Sequence, residues 1–565
     1  MYPTPEGVNA VSNQMKRLLF LSVIPVLSWG ADYDVRTYGA KGDGSTVDNT
    51  AIKAAWAAAS AAHGGTVFFP SGTYIVANDK TVGNVFTLTA ADSNITFQGV
   101  GESSIIKVKN GAGLYEYLFY SDAKNTELRN LTVDCNLAGN PPDTSTATVN
   151  TDPSNARQVF RSGRHGAVVD NVVVLNHYGR QIISFNDGDG KVTNCRFENV
   201  GNDSTTYTGA AWNDHSSIYV SSSNTDSPPG SILIAGNQFL GSDVRRNAEQ
   251  CAIETHAPDV LVMNNYITGY RVGMNITGID WKVATNVTIE GNTIVDVIAG
   301  IQVWGMWHAG HYVGYSIDGL QITNNNIRIK SWPINYTYYG WLFGIGLEQN
   351  PNLTIRGMNI SGNTIVYDNT LAANYIGNAY SGIWFDQVAD ETYAPHPVLE
   401  NCTISNNLIV GAPGSGIFVN VETSGLSILN NTIQDCGQTR DTTTSYNSGI
   451  YIRDTISTTK GMVIRGNVIS DGLATTQLEY GIFIDQKGTG TSTITTTGNT
   501  FKITGTTKTL YRSNFATTSG AINGDTVVAL PEVPSLVRPP NGSLDKLTVL
   551  DLVWRSSDGA AGYYL

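Results

Sequence analysis

Along most of the chain, apolar residues recur at every second position in runs of three to five, never at the three-to-four spacing of an amphipathic helix. Asn286-Val287-Thr288-Ile289 and Leu426-Ser427-Ile428 are such runs. Each is followed by a phrase Asn-x-Ile/Phe, as in Gly236-Asn237-Gln238-Phe239, Asn264-Asn265-Tyr266-Ile267 and Gly291-Asn292-Thr293-Ile294, and the phrase returns at Asn325, Asn363, Asn407, Asn431, Asn467 and Asn499. A second run then opens with Gly-Ile: Gly300-Ile301-Gln302-Val303, Gly382-Ile383-Trp384-Phe385, Gly416-Ile417-Phe418-Val419, Gly449-Ile450-Tyr451-Ile452 and Gly481-Ile482-Phe483-Ile484. Alternation of period two places Ile and Val on one face of a strand and the residues between them on the other. A unit that returns with loops of varying length is one coil of a solenoid. Coils stacked about 4.8 Å apart let each strand bond to its copies above and below. An asparagine at the same turn of every coil then forms an amide ladder that satisfies buried turn groups. The pattern predicts an all-β protein, a right-handed parallel β-helix.

Ahead of the repeats, Asp48-Asn49-Thr50 offers helix-capping side chains. The stretch from Ala51 to Ala62 sets Ile52, Ala55, Trp56 and Ala59 on one helical face. Such an α-helix closes the open end of the first coil, as a terminal element of a solenoid must. The β-helix is expected to occupy residues 31–520, followed by a linker over 521–540 that becomes proline-rich from Pro531 to Pro540.

Composition sharpens this picture in three places. Only 14% of residues are charged and 59 are Gly, which suits short strands joined by tight turns. The net charge of −13 speaks against nucleic acid or an anionic membrane as partner. It also speaks against a strongly anionic substrate unless a local basic patch overrides the average. The five cysteines, Cys135, Cys195, Cys251, Cys402 and Cys436, are odd in number and include no Cys-x-x-Cys pair, so buried free thiols are expected. At the N-terminus, Met15-Lys16-Arg17 precedes an apolar run from Leu18 to Leu27, and Ser28-Trp29-Gly30 sets small residues before Ala31. That is the layout of a bacterial-type secretory signal starting at Met15, with Met1 to Gln14 as an upstream extension and a run too short to span a bilayer.

Three segments carry a resemblance to a known family. Asp34-Val35-Arg36-Thr37-Tyr38-Gly39-Ala40-Lys41-Gly42-Asp43-Gly44, then Asp48-Asn49-Thr50-Ala51-Ile52, then Gly64-Gly65-Thr66-Val67-Phe68-Phe69-Pro70-Ser71-Gly72-Thr73-Tyr74 resemble the opening of pectate-lyase-superfamily β-helix proteins. That grouping spans rhamnogalacturonase-like, polygalacturonase-like and tailspike proteins. The resemblance implies a polysaccharide or oligosaccharide partner but no single reaction, since members hydrolyse, eliminate, epimerise or only bind glycans. Arg328-Ile329-Lys330 echoes a polygalacturonase motif, but paired Asp-Asp and Gly-His-Gly are missing, and Gly163-Arg164-His165-Gly166 is a partial echo. Over 541–565, Asn541-Gly542-Ser543, Leu552-Val553-Trp554 and Gly559-Ala560-Ala561-Gly562-Tyr563-Tyr564 resemble the first strands of a fibronectin type III-like module.

Aligning the Gly-Ile runs gives two outward columns. One contains Tyr219, Glu254, Asn275, Gln302 and Trp384; the other contains His256, Trp304, Glu348 and Asp386. Aromatic faces stack on pyranose rings, and amides and carboxylates bond hydroxyls. Glu348 and Asp386 fall on consecutive coils and suit the acid and base of glycoside hydrolysis, with Glu254 as a third candidate. Glu254 and His256 project from one strand as an acid–base couple. Arg245, Arg246 and Arg271 are candidates for binding an acidic sugar in lyase chemistry. Trp307, His308, His311, Tyr338, Tyr339 and Trp341 fall in the two longest insertions and are expected to wall the substrate. Asp187, Asp189, Asp203 and Asp214 are a candidate calcium set. No cofactor is required by any of these chemistries. Hydrolysis by paired carboxylates is the leading expectation, with elimination on a uronate polymer and non-catalytic glycan binding as alternatives.

Overall fold

The computed structural model describes residues 31–527 except 79–82, 113–115, 142–156, 180, 202–214, 222–229, 242–249, 278–283, 305–306, 309–310, 313–314, 331–341, 348–352, 369–379, 387–396, 438–446, 455–458, 473–477, 479, 487–492, 504–508, 514–521 and 524–525. The expected signal segment and the fibronectin-like segment lie outside the described residues, as do Arg245, Arg246, Asp203, Asp214, Tyr338, Tyr339, Trp341 and Glu348.

Parallel strands stack coil upon coil as a right-handed parallel β-helix. Three faces run the length of the stack. The first carries the alternating runs, and its inward residues Ile234, Val262, Ile289, Ile322, Ile360, Ile404, Ile428 and Ile464 lie in strict register. The second carries the residues after the repeated asparagine, with Phe239, Ile267, Ile294, Ile327, Ile365, Ile409, Ile433, Ile469 and Phe501 aligned. The third is a 14-stranded sheet that includes every Gly-Ile run, and a shorter six-stranded sheet accompanies the middle coils. The inward side chains of these faces merge into one core.

The asparagine ladder forms as expected. From Asn237 to Asn499, each amide Nδ2 donates to the Oδ1 of the next rung at 2.9–3.0 Å. Each backbone N–H from Asn237 to Asn467 donates to that same oxygen. The residue just before each rung is Gly or Asn because the turn needs a left-handed backbone there: Gly236 has φ 68° and Asn264 has φ 54°.

The glycine of the Gly-Ile phrase has a steric cause. A Cβ on Gly449 would lie 2.6 Å from Ile469 Cγ2 and 2.8 Å from the Gly481 carbonyl oxygen. Here the backbone of the third face crosses directly over the aliphatic ladder of the second. Gly449→Ala is expected to destabilise the protein by about 1–3 kcal/mol through overpacking, read as a lower urea midpoint at unchanged denaturant slope.

The capping helix spans Asn49–Ala61 and buries Ala51, Ile52, Ala55 and Ala59. Trp56 packs partly against the core and donates to Asp92 Oδ1 at 3.1 Å. Asp48 occupies the N-cap but makes no side-chain bond to the helix. Its carboxylate turns back to accept the Lys41 and Gly42 N–H groups at 2.7 and 3.1 Å, locking the preceding turn instead. The strand ladder also continues past residue 520 into the stretch expected to be linker, because Ile522–Asn523 and Thr526–Val527 pair with the preceding coil. All five cysteines are free and buried. Burial pushes the Cys436 thiol up to about 12 and the Cys402 thiol to about 11. No helix among the described residues is long and apolar enough to cross a membrane.

Candidate functional site on the third face

The outward columns expected from the Gly-Ile alignment are real strand registers. Tyr219, Glu254, Asn275, Gln302, Gly346, Trp384, Phe418, Tyr451 and Phe483 pair in unbroken order from coil to coil. Thr277 pairs with Trp304, and Asp386 with Asn420, in the second column. A third outward position, just before the glycine, was not anticipated. It stacks Ser216, Cys251, Val272, Ala299 and Phe343.

This face divides in two. Toward the C-terminus it is an apolar ridge. Trp384 is 1% exposed and stacks on Phe343 with centroids 5.5 Å apart, and Tyr451 stacks on Phe483 at 4.9 Å. Trp384 was expected to offer an open ring to a sugar. The structure corrects this, since neighbouring rings one coil apart pack on each other and the indole is buried among them.

Around the strand Gln250–Thr255 the face is polar. Glu254 Oε1 lies 2.7 Å from His256 Nε2, and Ser216 Oγ donates to Glu254 Oε2. Cys251 Sγ donates to Ser216 Oγ at 3.4 Å. The Tyr219 ring lies 5.0 Å from the imidazole. Glu254 and His256 are each 5% exposed. Both Glu254 oxygens are therefore engaged, one of them with the histidine expected to couple to it, and the carboxylate orients the imidazole. A carboxylate facing Nε2 keeps the proton of the neutral ring on that nitrogen and leaves the Nδ1 lone pair as the basic site. Among the described residues Nδ1 has no hydrogen-bond partner. Asn275, the next rung after Glu254, has a buried Oδ1 without a partner among the described residues. Gln302 follows it and is buried.

Of the expected carboxylates, Glu254 and Asp386 do not come together. Asp386 is half-buried and accepts from Asn420 Nδ2 at 2.6 Å. It stands four coils from Glu254, about 19 Å at ~4.8 Å per coil. That is beyond the separation of roughly 5–9.5 Å used by paired glycosidase carboxylates. Its expected partner Glu348 lies outside the described residues. Arg271 is buried at the head of the strand Val272–Thr277, in the coil after Glu254. Trp304 holds its expected strand position. Trp307–His308 pairs with His311–Tyr312 as a short antiparallel hairpin. Of the calcium candidates, Asp187 takes a left-handed turn and Asp189 Oδ1 accepts the Gly166 N–H, so both serve turns. Among the described residues no three His, Cys, Asp or Glu side chains gather as metal ligands would.

The N-terminal half of this face holds residues that the alignment missed. Arg161, Tyr117, Tyr120 and Asn186 share it with Tyr219 and Glu254. Their strands carry no marker, because a bulky residue, Val159 or Ile182, replaces the glycine, whereas Ser217-Ile218 and Ala252-Ile253 keep a small residue before the isoleucine. Val159, Ile182, Ser217 and Ala252 stand where later coils have glycine. The alternation in Gln158-Val159-Phe160-Arg161 and Gln181-Ile182-Ile183-Ser184 was the remaining signal.

Residues 33–301 match the family model described as rhamnogalacturonase A/epimerase, pectate lyase-like. Mannuronan C5-epimerase AlgE6 of Azotobacter vinelandii is 39% identical over 115 residues, which is 19% of this chain and 13% of the epimerase. Alginate lyase 7 of the same organism is 41% identical over 80 residues, 14% of this chain and 9% of the lyase. The chain thus matches only a small part of each relative. Among solved structures, the tailspike protein of E. coli bacteriophage HK620, in complex with a pentasaccharide, superposes with a TM-score of 0.51 at 13% identity, covering 88% of this chain and 78% of the tailspike. Its low identity bears on fold alone. The matched segment is thus similar to a pectate-lyase-like family of polysaccharide-acting proteins, and the coil architecture is that of a parallel β-helix.

Proposed function

We propose that this protein is a polysaccharide-modifying enzyme whose reaction begins with removal of the C5 proton of a uronate sugar by His256. The observation that carries this reading is the Glu254–His256 contact of 2.7 Å, which leaves Nδ1 as the one basic atom of the dyad. A proton next to a carboxylate becomes removable when a positioned base takes it and the carboxylate charge is offset. Expulsion of the C4 oxygen then gives elimination, and return of a proton to the opposite face gives epimerisation. The matched relatives bear names of both kinds, an alginate lyase and a mannuronan C5-epimerase, which supports this choice over hydrolysis. Tyr219 and the unpartnered Oδ1 of Asn275 flank the dyad and suit contact with sugar hydroxyls. Arg271 in the neighbouring coil suits the carboxylate. Secretion belongs to the same proposal, on the strength of the apolar run after Met15-Lys16-Arg17.

The test is a panel of neutral and uronate polymers followed by reducing-end titration, absorbance at about 235 nm and proton NMR of the polymer. The unsaturated chromophore, or inversion at C5 without cleavage, is the expected outcome on a uronate polymer. Reducing ends without absorbance would overturn the proposal in favour of hydrolysis at Glu348 and Asp386. Binding with no product would leave a glycan-binding β-helix.

A further inference from the structure

Arg161 lies on the same outward column as Glu254, through the strand registers Arg161–Ser184, Ser184–Tyr219 and Tyr219–Glu254. Three coils separate them, about 14 Å at ~4.8 Å per coil. Its guanidinium packs over the rings of Tyr117 and Tyr120, 5.2 and 5.4 Å from their centroids. Nη1 donates to the Tyr117 hydroxyl at 2.8 Å and Nε to Asn186 Oδ1 at 3.2 Å. Asn186 is held in turn by Ser221 at 2.9 Å. The side chain is thus fixed on two sides by neutral groups.

What it lacks among the described residues is a carboxylate in direct contact, since the acid at this cluster, Glu116, reaches the Tyr117 hydroxyl instead. Arg129 bonds Glu127 and Asp170, Arg164 bonds Asp122, Arg196 bonds Glu102, and Arg356 bonds Asp318 and Glu400. Among the described residues Arg161 has no carboxylate partner. In a chain of net charge −13, a half-buried guanidinium held directly by neutral groups, with Glu116 one hydroxyl away, keeps donors to spare on the face of the candidate reaction centre. A planar fork stacked on aromatic rings with donors to spare is suited to a carboxylate.

We propose that Arg161, cradled by Tyr117 and Tyr120, forms a remote subsite that binds the carboxylate of a second uronate unit, on the same polymer strand but away from the sugar at His256. This rests on the uronate reading above and adds that the polymer lies along the helix axis, crossing Ser184 and Tyr219 between the two points. It also makes charge on non-reacting units part of substrate selection.

The experiment is equilibrium titration of the full chain with oligomannuronates of increasing length, and with the same oligomers after reduction of their carboxylates to alcohols. Wild type, Arg161→Gln and Arg161→Lys are compared, with circular dichroism confirming the fold. Wild type is expected to gain affinity at the length where the oligomer first spans both points. Arg161→Gln should lose about ten- to a hundred-fold on those longer charged oligomers, with Arg161→Lys in between and the reduced oligomers bound alike by all three. Equal affinity of wild type and Arg161→Gln, equal loss on charged and reduced oligomers, or no binding by wild type would each overturn it. Arg161-dependent binding without any product would instead retain the subsite and defeat the proposed reaction. Product with Arg161-independent binding would do the reverse.

Discussion

Replacing His256 by glutamine is expected to lower turnover of the uronate polymer by about 10²–10⁴-fold, with the far-ultraviolet spectrum and the unfolding midpoint close to those of the parent. Glutamine keeps a polar group opposite Glu254 Oε1, so the buried carboxylate is not left without a donor. What disappears is the Nδ1 lone pair. Glu254→Gln should also fall steeply, for a different reason. An amide in place of the carboxylate no longer holds the imidazole proton on Nε2, so the ring is free to carry it on Nδ1, where it cannot act as a base. Ser216→Ala removes a single bond to Glu254 and is expected to cost less than either. Initial rates at 235 nm, or C5 inversion by NMR, read all three. Retention of more than about a tenth of parental turnover by His256→Gln would remove the imidazole from the reaction, since general bases contribute at least about 10²-fold.

The second large effect concerns stability. Asn325→Leu is expected to destabilise the protein by about 2–5 kcal/mol. Asn325 Oδ1 accepts both the backbone N–H and the Nδ2 of Asn292, and its own Nδ2 donates to Ile289 O and Asn363 Oδ1. Leucine fills a similar volume but leaves the Asn292 backbone N–H buried without an acceptor, and strips Asn292 Nδ2, Ile289 O and Asn363 Oδ1 of one bond each. The neighbouring Asn326 is exposed, and its backbone N–H bonds Asn292 O whatever the side chain. Asn326→Ala should therefore fall within about 0.5 kcal/mol of the parent. Urea denaturation of the pair is the measurement, and equal midpoints would show the ladder to be decorative.

Much of the architecture was legible because a solenoid repeats its local rules. Period-two alternation, an asparagine once per coil and a glycine before the inward isoleucine each report a constraint that neighbouring coils impose alike, so the sequence displays each one many times. The same property located Tyr219, Glu254, Asn275, Gln302 and Trp384 on one column. It did not show what each would do there. Glu254 reads equally as a third hydrolytic carboxylate and as the partner of His256 until the distances to Ser216 and His256 are known. Trp384 reads as a sugar platform until Phe343 is found beneath it.

By itself, then, the sequence determined the β-helix, its register from Tyr219 onward, the amide ladder, the capping helix and the free thiols, because each depends on residues a fixed number of positions or one coil apart. The tertiary structure decided which outward residues are buried in an apolar ridge and which form a polar dyad. It also decided that Glu254 and Asp386 stand coils apart, and that Arg161 shares a face with His256 held directly by a tyrosine hydroxyl and an amide. These depend on side-chain direction and on neighbours tens of residues away in sequence, and before Tyr219, where Val159 and Ile182 replace the small residue of the phrase, the alternation alone does not announce the register.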